Sequence, residues 1–193
     1  MTKKTDEQLL ALFQGRDPGA FEQLVKRYEK PLYNFLVKFV AGAAVAEDVF
    51  QETFLQVSIS ADNFDVTRRF RPWLYTIAAN KARDMLRKKG RRPTVQLTGT
   101  QENDYENDLW DVLLVDETTP QKLLEQKQQK QMVRDTVMQL PDRLREILAL
   151  AYFNQLPYKE IAKVLDVPLG TVKSRLHSAI AEFAKQYKIR RLT

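Results

Sequence analysis

The chain has no cysteine and a single histidine, His177, among 193 residues. Without cysteine, disulfides, thiol catalysis and thiolate metal sites are excluded. A metal cage built around His177 would need three or four carboxylates to complete it. No apolar run approaches the ~20 residues that span a bilayer, and the opening MTKKTDEQLLALFQG has no uninterrupted apolar core of secretory type. The expectation is a cytoplasmic protein with no membrane insertion and no cofactor. No internal repeat is visible, and no segment requires a strand.

Charge and apolar content are both ample. Charged residues make up 29% of the chain and apolar residues 44%, a globular composition that leaves little room for wholesale disorder. The length suits one medium domain or two small ones. The charge is unevenly spread: Lys and Arg against Asp and Glu number 17 to 11 over residues 1–92, 3 to 8 over 93–130, and 11 to 6 over 131–193. Two basic lobes flank an acidic connector, a layout suited to two contacts with a polyanion.

Hydrophobic spacing follows the same division. Apolar residues three and four apart predict helices over 6–13 and 20–40, the second interrupted at Pro31. AVAEDVFQETFLQVSIS predicts another, with Val45, Val49, Phe50, Phe54 and Val57 inward. ADNFDVTRRFR reads as loop, after which Pro72 takes a first helical position for PWLYTIAANKARDMLRKK. Residues 90–119 hold turn formers and acids without a sustained period and read as linker, apart from the apolar cluster at Trp110, Val112, Leu113 and Leu114. Thr119 and Pro120 open a further helix to about Leu140, and Pro141-Asp142 starts DRLREILALAYFN.

The most informative stretch is YKEIAKVLDVPLGTVKSRL. Ile161, Ala162 and Leu165 give its first helix a small apolar face. Val167 plugs the corner, and Pro168 starts a second helix whose inner face is Val172, Leu176, Ala179 and Phe183. This is a helix-turn-helix, the unit that presents its second helix to a DNA major groove. Lys173, Ser174, His177 and Ser178 share the outward face and suit base edges; Thr171 and Arg175 flank it and suit phosphates.

LPDRLREILALAYFNQLPYKEIAKVLDVPLGTVKSRLHSAI resembles region 4 of bacterial sigma factors, and AEDVFQETFLQV with FRPWLYTIAANKARDMLRKKGRR resembles region 2. With two regions and a short connector, the resemblance is to the extracytoplasmic-function group of the sigma-70 family. Asp166 stands where that family often has Gly, a turn position Asp tolerates. The resemblance implies an all-α fold of two small helical domains, 1–92 and 120–193, joined by a flexible acidic linker over 93–119.

It also implies roles. The partners would be core RNA polymerase (the beta-prime clamp helices and the beta flap), promoter DNA both double-stranded and melted, and an anti-sigma protein able to wedge between the lobes. Asp48, Gln51, Glu52 and Leu55 match the clamp-docking surface, and their spacing sets them on one helical face. A solvated face is the competing reading of those residues. Asn63, Phe64 and Asn80 are candidates to hold an extruded minus-ten base. Arg68, Arg69, Arg71, Lys81, Arg83, Arg87 and Lys88 would engage phosphates there. Trp73 is assigned to the core rather than to stacking. Thr171, Lys173, Ser174, Arg175, His177 and Ser178 would meet the minus-thirty-five element.

Two rival functions stand beside this one. A helix-turn-helix regulator that is not a polymerase subunit would need a receiver or ligand domain in the first half, which is basic and strandless. A helical nuclease would need Asp48 and Glu52 to hold a metal without a nearby histidine.

Overall fold

The computed structural model describes residues 4–40, 42–91 and 120–192, and all regular structure among them is helical. The first unit comprises α1 (Asp6–Gln14), α2 (Pro18–Val40), α3 (Ala43–Ser60) and α4 (Phe70–Arg91), with a single 3-10 turn, Ala61–Asn63, after α3. A capping box starts α1: Gln8 N donates to Thr5 Oγ1 at 3.2 Å and Thr5 N to Gln8 Oε1 at 2.9 Å. Asp17 Oδ1 accepts from Gly19 N at 3.0 Å at the head of α2, where Pro18 takes the first helical position.

Two expectations are corrected here. Pro31 does not interrupt α2, which runs through it. A proline in a helix forfeits the bond to the carbonyl four residues back; burial of Leu24, Tyr28, Leu32, Phe35, Leu36 and Phe39 along one stripe outweighs that loss. Nor does α4 begin at Pro72. It begins at Phe70, whose N–H donates to Glu7 Oε1 at 3.0 Å. A carboxylate on another helix thus serves the first turn, and Pro72 falls where no N–H is required.

The second unit comprises α5 (Pro120–Gln139), α6 (Asp142–Leu148), α7 (Tyr158–Leu165) and α8 (Leu169–Leu192). The helix expected over DRLREILALAYFN ends in a widened turn, Ala149–Phe153, in which Asn154 N donates five residues back to Ala149 O at 3.1 Å. Thr119, the linker residues 93–119 and the Trp110 cluster lie outside the described residues.

The corner between α7 and α8 has the expected geometry. Asp166 adopts φ 50° and ψ 54°, the left-handed region open to Asp at modest cost. Val167 N then donates to Ala162 O at 3.0 Å and closes the end of α7.

The two units share one apolar core. Phe35 packs on Tyr75 with ring centroids 5.4 Å apart, and Leu150 and Ile147 of the second unit belong to the same buried cluster. Polar groups reinforce the seam. Arg145, buried in α6, donates from Nε to Phe39 O at 2.8 Å, and from Nη1 to Met138 O at 2.9 Å and Leu140 O at 3.2 Å. One guanidinium thereby satisfies carbonyls near the ends of α2 and α5. Lys38 of α2, also buried, lies over the Phe153 ring at 3.9 Å.

Candidate nucleic-acid interface

The outward face of α8 follows from its inward one. Val172, Leu176 and Ala179 are buried against the rest of the second unit, which turns Lys173, Ser174, His177 and Ser178 to solvent. Ser174 Oγ donates to Thr171 O at 3.1 Å, so in this arrangement its hydroxyl offers lone pairs outward. Thr171 and Arg175 are half-buried at the edge of the face.

Arg175 is not directed only outward. Buried Glu146 of α6 lies in its field and pairs with Arg83 Nε of α4 at 3.0 Å. Burial raises the Glu146 carboxyl above its ordinary range, opposed by Arg83 first and Arg175 after it. One carboxylate therefore faces a cation expected at each promoter element.

The remaining cations of the first unit are largely engaged within the chain. Arg69 pairs with Glu160 of α7 at 2.8 Å, and Arg71 donates to Asn154 O at 2.6 Å. Lys81 lies 3.6 Å from Glu52, Arg68 lies 3.8 Å from Asp65, and Arg87 pairs with Asp84. Asn80 Oδ1 accepts from Arg83 Nη1 at 2.8 Å. Lys88 is exposed. Of the seven cations expected at minus-ten phosphates, Arg69, Arg71, Lys81 and Arg83 hold partners in the second unit or on α3.

Asn63 is exposed and Phe64 half-buried on the loop after α3. Phe64 packs on Trp73 with centroids 4.4 Å apart, and Trp73 meets Phe70 edge-on at 5.8 Å. Trp73 is thus half core and half wall. With Asn63, Phe64, Arg68 and Arg69 it lines an open cleft of about 1170 Å³ whose far side is Lys159, Glu160 and Lys163 of α7. Tyr75, by contrast, is fully buried.

On α3, Asp48, Gln51, Glu52 and Leu55 are all exposed, opposite the buried Val49, Thr53, Phe54 and Val57. Leu55 is 61% exposed and Ile59, one turn on, 65%. Ile59 continues the same face and was missed, although its offset of four from Leu55 carried the signal.

Residues 24–92 match the family model for Sigma-70 region 2, and residues 130–182 match that for Sigma-70, region 4. The chain is 36% identical over 180 residues to the RNA polymerase sigma-H factor of Pseudomonas aeruginosa, covering 93% of this chain and 92% of that one. It is 34% identical to the ECF RNA polymerase sigma-E factor of Haemophilus influenzae, with 91% of each covered. Its fold is like that of the sigma factor RpoE of Bartonella quintana, solved in complex with the anti-sigma factor NepR. The TM-score is 0.63 at 20% identity, covering 88% of this chain and 97% of that one. Both regions occur in the order in which the sequence motifs stand, and the relatives match along nearly the whole chain: it belongs to the extracytoplasmic-function group of the sigma-70 family.

Proposed function

We propose that this chain binds core RNA polymerase through α3 and directs it to bipartite promoters, reading a minus-ten element with residues 1–92 and a minus-thirty-five element with residues 120–193. The observation that carries the reading is the α8 face, where Lys173, Ser174, His177 and Ser178 stand exposed behind a buried Val172, Leu176 and Ala179. A helix held this way by a fixed corner suits the major groove. Asn63, Phe64 and Asn80 receive the extruded base, while Arg68, Arg69, Arg71, Lys81, Arg83, Arg87 and Lys88 serve phosphates. Asp48, Gln51, Glu52 and Leu55, with Ile59, form the clamp-docking face. Residues 93–119 connect the two readers.

The chain performs no chemistry of its own; the polymerase does, in the cytoplasm. Among the described residues no helix is long and apolar enough to cross a membrane. An anti-sigma protein is the expected inhibitor, and the seam between the two units is where its binding would fix their relative position.

The test is transcription by core polymerase from a library randomised at both elements. Wild type yields specific transcripts absent without the protein. Lys173→Ala and Ser174→Ala each shift preference at the upstream element, by about 1–3 kcal/mol for a good base contact, and leave the minus-ten element unmoved. Unchanged upstream preference in both variants would mean that another face of α8 enters the groove.

A further inference from the structure

The loop between α3 and α4 makes few hydrogen bonds of its own. Phe64 N donates to Ala61 O at 2.9 Å, Arg68 N to Asp65 O at 2.9 Å, and Asp65 Oδ1 accepts from Thr67 N at 2.9 Å. Besides the Arg69–Glu160 pair and the packing of Phe64 on Trp73, the loop is held from α1. Gln14 Nε2, part-buried, donates to Ala61 O at 2.8 Å and to Phe64 O at 2.9 Å. The two carbonyls bracket Asp62 and Asn63. At the loop's far end, Glu7 Oε1 accepts from Phe70 N at 3.0 Å. Burial alone would raise Glu7, but the bonds from Phe70 N, its own N–H and Thr5 hold its carboxyl below the ordinary value, so it stays charged. Arg16, just past α1, reaches Asp62 at 3.5 Å.

The other end of α1 is anchored in turn. Asp6 accepts from both Arg27 and the Tyr28 hydroxyl of α2. The helix is thus fixed to α2 at its head and grips the loop with side chains two turns apart. None of α1 lies within residues 24–92, the part that matches region 2.

We propose that Gln14 is a positioning residue for minus-ten recognition, fixing the backbone at Ala61 and Phe64 so that Asn63 and the Phe64 ring present one geometry to the extruded base. This rests on the reading that Asn63 and Phe64 receive that base. A primary amide has two donor hydrogens, and here both go to loop carbonyls, Phe64 O and Ala61 O, the second of which also closes the 3-10 turn by accepting from Phe64 N. The bond at Phe64 also sets how that ring lies on Trp73, 4.4 Å away. Without Gln14 the loop retains its sequence and loses its defined orientation, which degrades discrimination rather than overall affinity.

The experiment uses full-length protein with core polymerase and the doubly randomised library. Gln14→Met keeps length and removes both donors; Asn63→Ala removes the reading side chain. The expected result is a loss of minus-ten discrimination of about tenfold in each, with core affinity and minus-thirty-five preference as in wild type. The double variant should lose less than the two single losses combined, since Gln14 acts in part through Asn63. A second arm uses Gln14→Glu. Its carboxylate keeps the side-chain length and has no hydrogen to give either carbonyl, so it should lose discrimination as Gln14→Met does. A third reads Trp73 emission in a Trp110→Phe background, which Gln14→Met should shift in the free protein.

Wild-type discrimination in Gln14→Met, with Asn63→Ala impaired, would overturn the role of Gln14 and leave the reading of the loop intact. Wild-type discrimination in Asn63→Ala would overturn the reading and the inference with it. A Gln14→Met protein that loses preference at both elements, with Trp73 emission as in wild type, would make Gln14 merely structural.

Discussion

The Tyr75 hydroxyl donates to Asn154 Oδ1 at 2.7 Å, and both residues are buried. Asn154 Nδ2 donates to Ala149 O at 2.9 Å, and its backbone carbonyl accepts from Arg71. Asn154 thus joins α4 of the first unit to the widened turn of the second. Asn154→Ala strands the buried hydroxyl and should cost about 1–3 kcal/mol, and Tyr75→Phe somewhat less. Urea unfolding of the two single variants and the double gives the coupling; additive losses would show that the bond contributes nothing across the seam.

Glu146 competes with a promoter phosphate for the Arg83 guanidinium and also holds Arg175 in its field. Glu146→Gln removes the competing charge. The free protein should then bind promoter DNA more tightly, with a steeper loss of affinity as salt is raised. Anisotropy titrations at several salt concentrations measure both. Unaltered affinity and slope would mean that neither cation meets a phosphate.

Lys38 gives the seam a pH dependence. Burial lowers its ammonium to about 8, against ~10.4 for an unfolded lysine. Between those values the unfolded chain binds more protons than the folded one, so stability rises with pH, by up to about 1.4 kcal/mol per unit. Tyr75, pushed up to about 12 by burial, and Tyr28, raised by burial and Asp6, act the opposite way above about pH 10. The rise should therefore appear from about pH 8 to pH 10 in wild type and vanish in Lys38→Met. Parallel stability curves for the two proteins would show that Lys38 does not carry it.

The α3 face predicts a separation of binding from folding. Gln51→Ala with Leu55→Ala should weaken core polymerase binding while melting temperature stays nearly constant, because both side chains are exposed. Ile59→Ala should add to the loss. A folded triple variant with wild-type core affinity would reduce this face to a solvated one.

Much of the candidate site's geometry was legible because it is local. Helical period alone puts Val172, Leu176 and Ala179 on one side of α8 and Lys173, Ser174, His177 and Ser178 on the other. Asp166 marked its own left-handed corner, since few residues tolerate φ 50°. The α3 face was read the same way, up to Leu55. What the sequence could not supply are pairings between distant segments. Gln14 meets loop carbonyls 47 and 50 residues on, and Arg83 meets Glu146 across 63. Arg145 meets Phe39 O across 106. Period reports which side of a helix is buried but not what it is buried against. Pro31 inside α2 and the start of α4 at Phe70 were misread for the same reason, because a packed stripe and a carboxylate from α1 outweigh local preference. The sequence by itself determined the helices, their faces and the two regions; only tertiary packing decided that most of the expected promoter cations are held by partners within the chain.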